Sequence, residues 1–351
     1  MAQGLSFKHL SFKHLLIAGA LALNAAAVLA QGAPADRPWL DATLLAGAKA
    51  EGQVTIYSST NEQEGLPLWK IFEEATGVKV NYVRAADAQL MGRMAIEART
   101  GQQSWDMINT PTANQLPESM MLPFDPPEAK NVMPSARDPK RQWYGVYANY
   151  NSPAYNTNLV KAADLPKTYE EFLTKKEWVG RVAIEGTDNE WMNAMFAHYG
   201  QDKGRKLLED LVSTLKITVL DGHLAAARAV AAGEYAVALN NYTMLTNNMT
   251  LSGAPTNFWV MDPVALFFGQ VAVNPKAPHP KAAQLAANFM LSKEAQTFAA
   301  KTGRIPTRPD VIPNPPDVVA RLEKAKVLPY ALSGDQVKAS QKLFDEIFKK
   351  R

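Results

Sequence analysis

The stretch Val54-Thr55-Ile56-Tyr57-Ser58-Ser59-Thr60-Asn61-Glu62 decides how the chain is read. Its first half consists of strand formers, and the apolar run suits a strand buried within a parallel sheet. Its second half is a row of short polar side chains rich in hydrogen-bonding atoms. A strand that ends in such a loop and leads into a helix puts the loop at the carboxyl edge of an open α/β sheet, where such sheets bind ligands. Ser58, Ser59, Thr60 and Asn61 are therefore candidate ligand contacts. The plainer alternative is a cluster of helix caps closing an ordinary βα turn.

The helix that follows has two readings. Asn61 and Glu64 have capping-box spacing, but Gly65 and Pro67 come next, and proline is best placed at a first helical position. The expectation is a loop over 58–65 and a helix from about Leu66. Leu66, Trp69, Phe72 and Ala75 then form one apolar face, and Gly77 stops the helix. A strand over 78–83, a helix from Asp87 to about 100 and a strand over 105–108 complete a β-α-β-α-β unit. Asn109-Thr110-Pro111-Thr112 follows the third strand and adds Thr110 to the candidates. Residues 122–141 are proline-rich and irregular. The aromatic segment 143–155 reads as a strand crossing between two lobes.

A second α/β pattern begins near residue 165. Thr168 and Glu171 are spaced to head a helix. A strand over 182–184 leads to Thr187, Asp188, Asn189, Glu190 and Trp191 at a helix N-terminus, where acids are also favoured by the helix dipole alone. A helix over 203–212, a strand over 217–220 and an alanine-rich helix over 224–232 follow. A strand over 235–239 ends in Asn240-Asn241-Tyr242-Thr243. Thr187, Asp188, Asn189 and Glu190, with Asn241 and Tyr242, are the second-lobe candidates. Strands over 258–261 and 267–273 come next, the latter returning the chain to the first lobe. Helices over 281–290 and 293–301 lead to a turn carrying Arg304 and Arg308, read as solvated charges or an anion clamp. A C-terminal amphipathic helix carries Leu343, Phe344, Ile347 and Phe348. The expected organisation is a leader over 1–30, a first lobe over 36–145, a second over 146–261, and a return over 262–351.

Composition bounds the chemistry. The 351 residues suggest roughly two domains, and 47% hydrophobic with 20% charged residues is ordinary for a soluble globular protein. Lys8 and Lys13 precede an apolar run over 15–30 ending in small residues, the pattern of a secretory signal peptide, with Val28-Leu29-Ala30 fitting a cleavage site before Gln31 and Ala33-Pro34-Ala35 a second candidate. Cleavage removes those two lysines and no acid, so the formal charge falls from +3 to +1, which argues against a nucleic-acid surface. The chain has no cysteine, which excludes disulfides, thiolate metal sites and a lipid-modified cysteine. Beyond the leader the histidines are His198, His223 and His279, read as helix-end, cap and loop residues. No H-E-x-x-H, G-x-S-x-G or G-x-x-x-x-G-K-[ST] occurs, so zinc hydrolysis, esterase and NTPase chemistry have no motif behind them.

Glu51-Gly52-Gln53-Val54-Thr55-Ile56-Tyr57-Ser58-Ser59 and Phe72-Glu73-Glu74-Ala75-Thr76-Gly77-Val78-Lys79-Val80 resemble the start of periplasmic solute-binding proteins of ABC importers, nearest the ferric-iron-binding cluster. Trp178-Val179-Gly180-Arg181-Val182, Ala232-Gly233-Glu234, Val237-Ala238-Leu239-Asn240-Asn241-Tyr242 and the segment 281–296 resemble later parts of that family in the same order. The resemblance spans about residues 51–309. It implies an α/β fold of two lobes (type 2), each an open, mostly parallel sheet flanked by helices, with the ligand cleft between them. It further implies hinge closure, no catalysis, no cofactor, a periplasmic location, and a monomer that docks on an inner-membrane permease with a cytoplasmic ATPase. The cargo does not carry over cleanly. Tyr242 matches the first of two metal-binding tyrosines, but Thr243 replaces the second and Asn61 stands near the family's histidine. The expected ligand is a small organic ion, phosphonate- or carboxylate-like, with Asp188 and Glu190 suited to a cationic part. The alternatives are Fe(III) as cargo on Tyr242, Asp188 and Glu190 with a synergistic anion, a periplasmic enzyme on the same scaffold, and a sensory module.

Overall fold

The computed structural model describes residues 37–349; the leader expected over 1–30 lies outside them. The chain forms β1 (Gln53–Ser58), β2 (Lys79–Arg84), β3 (Met107–Thr110), β4 (Trp143–Asn156), β5 (Val182–Glu185), β6 (Thr218–Leu220), β7 (Val237–Tyr242), β8 (Thr256–Phe258), β9 (Val264–Val273), β10 (Ile305–Pro306) and β11 (Val327–Pro329). The order is β2-β1-β3-β9-β4-β7-β5-β6. β1 runs parallel to β2 and β3, and β5 runs parallel to β6 and β7. Between these groups stand β9 and β4, antiparallel to each other; β9 is also antiparallel to β3, and β4 to β7.

Three reversals separate the two parallel groups, so they run in opposite senses. The long β4 serves both: its first part pairs with β9 and its last part with β7 and β8. The carboxyl ends of β1–β3 therefore point toward the carboxyl ends of β5–β7. The register measures the gap. Thr110 ends β3 opposite Gln270, which sits opposite Gly145 of β4, while Tyr242 ends β7 opposite Asn151. The stretch of β4 between those levels is roughly 15–20 Å long at a strand's rise, room for a small solute.

Helices cover both groups: α1 (Ala42–Glu51), α2 (Glu62–Thr76), α3 (Asp87–Thr100), α4 (Asn189–Tyr199), α5 (Gln201–Leu215), α6 (His223–Ala232), α7 (Thr243–Leu251), α8 (Pro280–Met290), α9 (Lys293–Lys301), α10 (Val318–Leu322) and α11 (Gly334–Phe348). Each lobe has its own core. Ile56, Trp69, Phe72, Trp105 and Phe289 belong to the first, and Phe172, Trp178, Trp191 and Leu211 to the second. Burying such side chains contributes about 1.5–3 kcal/mol each. The apolar face of α11 carries Phe344, Ile347 and Phe348 into the second core, so this helix packs on the second lobe.

Several expectations are corrected. α2 begins at Glu62, and Asn61 is its cap, with Oδ1 accepting from the Glu64 N–H at 3.0 Å. Gly65 is there because a Cβ would collide with the Tyr82 hydroxyl. Pro67 is tolerated because it and Gln63, whose carbonyl it leaves unpaired, are exposed. Leu66 is 51% exposed, and Leu68 takes the inward position. Glu171 lies in a short 3₁₀ segment, Glu170–Thr174, not an α-helix. β3 and β8 lie two residues to either side of their expected spans. β7 continues through Tyr242, which changes which of its polar residues face outward.

Candidate functional site

A cleft of about 900 Å³ lies between the facing strand ends. Of the sequence candidates, Ser59, Thr60, Asn61, Thr187, Asn189, Glu190 and Tyr242 line it. Ser58, Thr110, Asp188 and Asn241 do not, and each has a structural employment. Ser58 is fully buried; its Oγ accepts from the Thr60 N–H at 3.1 Å and holds the loop's shape. The Thr110 hydroxyl donates to Asp87 and lies 3.0 Å from that of Thr112, so Thr112 faces the cleft instead. Asp188 caps α4 from beneath the wall: Oδ1 accepts from the Trp191 N–H at 3.1 Å, and the Asn151 amide donates to both oxygens at 2.6 and 2.7 Å. Asn241 points away because side chains alternate along a strand, and its amide donates to the Thr246 hydroxyl at 3.0 Å.

The first-lobe wall offers donors. Tyr82 donates to the Thr60 carbonyl at 2.7 Å and fixes that loop. Arg84, at the end of β2, reaches the cleft exposed and makes no ion pair among the described residues. Arg304 also lines the cleft but is spoken for: Nε donates to Glu64 at 3.0 Å, and the guanidinium lies 4.2 Å over the Tyr147 ring. That ring in turn covers Gly269, where any Cβ would collide with it. Arg308 is buried and binds Glu128 and Asp310. Neither arginine is the solvated charge expected from sequence.

The second-lobe wall is acidic, and no lysine or arginine lines it. Glu185, at the end of β5, accepts from the Thr187 N–H at 2.7 Å and hydroxyl at 2.9 Å. Burial nonetheless raises its pKa. Burial, then repulsion from Glu190 and Glu185, pushes the Asp188 carboxyl well above the usual range. Burial pushes Glu190 up to about 7. Burial and these acids hold the Tyr242 phenol well above its ordinary value. A wall of carboxylates crowded without a counter-charge favours whatever brings positive charge to it.

Three contributors escaped sequence reasoning. His223 is no mere cap: its ring stacks on Tyr242 with centroids 3.5 Å apart, and both ring nitrogens lack hydrogen bonds. Burial pushes its pKa down to about 3, so it is neutral. Its Nε2 is 3.5 Å from Glu185 and 3.9 Å from Asp188. Asn149 lines the cleft from β4, and Gln341 lines it from α11. Gln341 accepts from the Asn189 amide at 3.1 Å, leaving the buried Asn189 Oδ1 unpaired. For Asn149 the sequence offered only asparagines within an otherwise aromatic strand, which does not by itself mark a cleft residue.

Solved structures share this architecture. The iron-bound HitA of Pseudomonas aeruginosa superposes with a TM-score of 0.69 at 22% identity, covering 84% of this chain and 99% of that one. AfuA of Actinobacillus pleuropneumoniae, with fructose-6-phosphate bound, gives 0.71 at 22%, covering 86% and 99%. Among characterised sequences, iron uptake protein A1 of Synechocystis sp. is 25% identical over 279 residues, 71% of this chain and 74% of that protein. A putative 2-aminoethylphosphonate-binding periplasmic protein of Salmonella paratyphi A is 27% identical over 296 residues, 76% and 82%. The fold is thus that of two-lobed periplasmic binding proteins. Residues 68–326 match the bacterial extracellular solute-binding proteins, and the chain belongs to that family.

Proposed function

We propose that this protein captures a small organic ion bearing both an anionic and a cationic group. It does so in the periplasm, closes its lobes on the solute without turning it over, and delivers it to an inner-membrane permease driven by a cytoplasmic ATPase. One observation carries the choice of ligand: the second-lobe wall is acidic, whereas the first-lobe wall balances Glu64 and Asp87 with Arg304 and Arg84 and adds hydroxyl donors. On the first lobe, Ser59, Thr60, Thr112 and the free Arg84 suit a phosphonate or carboxylate. On the second, Glu185 and Glu190 with the unpaired His223 suit an amine. Closure would bring both ends of one molecule to both walls at once. The Salmonella relative's name, with an aminophosphonate in it, supports this reading.

A ferric ion with a synergistic anion is the second reading, favoured by Tyr242 beside Glu190 in the cleft. The donor set is poor. Asp188 lies under the wall with both oxygens engaged. Thr243, in place of a second tyrosine, donates to the Tyr150 carbonyl at 3.0 Å. Among the described residues no three of His, Cys, Asp and Glu group as metal ligands do.

A thermal-shift panel of 2-aminoethylphosphonate, simple phosphonates, polyamines, thiamine, sugar phosphates and ferric citrate tests the proposal. A zwitterion at about 100 times its Kd should add about 2.7 kcal/mol of stability. Simple anions or amines should give smaller shifts. A folded protein that responds to no member of the panel, or to ferric citrate alone, would refute the reading.

A further inference from the structure

β4 is the strand common to both lobes, and over the gap between them one of its faces presents Tyr147, Asn149 and Asn151 in turn. Tyr147 underlies the Arg304 guanidinium at the first-lobe end. Asn151 holds the Asp188 carboxylate at the second-lobe end. Both outer residues therefore serve the protein itself. Asn149, between them, serves nothing visible. It is only 2% exposed, yet its Oδ1 is buried without a partner and its carboxamide makes no hydrogen bond among the described residues. Buried carboxamides are almost always paired, because leaving one unmet costs stability. A strand this well packed has no structural need of a polar residue there: the flanking Ala148 and Tyr150, on the other face, are buried in the core.

We propose that Asn149 is a selectivity residue of the cleft, whose Nδ2, the carboxamide atom not sealed off from the cleft, donates a hydrogen bond to an oxygen of the bound solute midway between the two walls. The inference rests on the reading of the cleft as a solute site and adds to it a contact from the strand on which the lobes turn. A solute lacking an acceptor at that point leaves the amide unmet and is rejected, which is how sites built on buried polar groups discriminate. The position also makes Asn149 a contact in the open and the closed protein alike, since it belongs to neither wall.

The test compares wild type, Asn149→Leu and Asn149→Asp in two measurements: the Tm of the empty protein, and calorimetric titration with 2-aminoethylphosphonate. Leucine removes the unmet group at similar volume, so the empty protein should melt higher, while affinity falls at least ~10-fold. Aspartate keeps the buried oxygen but has no N–H to donate, so its affinity should fall at least as far as that of leucine, and aspartate binding as tightly as wild type would also overturn the proposal. Leucine binding as tightly as wild type would overturn the proposal, and so would a Tm several degrees lower, as loss of a paired asparagine gives. If Asn149→Leu does not fold, Asn149→Ser, which cannot reach as far, should show the same loss of affinity. If the wild type itself ignores the probe, the ligand reading fails on its own; a higher Tm in Asn149→Leu then still upholds an unpartnered carboxamide at the cleft, and a lower one overturns it.

Discussion

Glu190 shows most directly what the cleft lacks. Burial pushes its pKa up to about 7, against about 4.5 in an unfolded chain, so the folded protein holds a proton that the unfolded one has released. Stability is therefore lost as pH rises through that window. His223 works the other way: pushed down to about 3, it contributes stability that grows from about pH 3 to 6.5. Glu190→Gln should raise the stability of the empty protein above pH 7 by on the order of 1–3 kcal/mol. The gain should vanish near pH 4.5, read as Tm against pH. An unchanged profile would mean that Glu190 is solvated. The same substitution should weaken any ligand that brings an amine. Thr187 to Glu190 were legible in sequence as a polar run between strand and helix. His223 and Asn149 were not, because a histidine opening an alanine-rich helix and an asparagine among tyrosines gain meaning only when β4, β5 and β7 bring them together.

At the level of elements, α2 shows how local signals compete. The capping pair Asn61 and Glu64 was visible in sequence and it governs the helix start. Gly65 and Pro67 argued for a later start, but their reasons are tertiary: Gly65 makes room for Tyr82, and Pro67 sits where water replaces its hydrogen bond. Asn61→Ala should cost about 1 kcal/mol in urea unfolding, and Asn61→Asp should restore most of it. A cap-neutral substitution that nonetheless abolished solute binding would move Asn61 from structural cap to ligand contact. β7 carries the matching lesson for strands. Ending it at residue 239 left Asn241 and Tyr242 both free to face a ligand. Its continuation to Tyr242 fixes the alternation and sends Asn241 inward to Thr246.

The whole molecule is two cores joined by β4 and β9, with the carboxyl ends of the parallel strands aimed at each other. That plan was readable from the repeated β-α-β pattern and the aromatic crossing strand. The direction in which each wall would be charged was not, because Arg84 and Glu185 acquire opposite positions only through the three reversals of the sheet. On this plan we propose that the cleft holds a solute with charges of both signs. Native mass spectrometry of the protein purified gently from its own periplasm tests this most directly. A one-to-one complex is expected, whose released mass is a small organic compound with both an acidic and a basic group. Protein carrying the mass of one iron atom, with no zwitterionic compound, would contradict it.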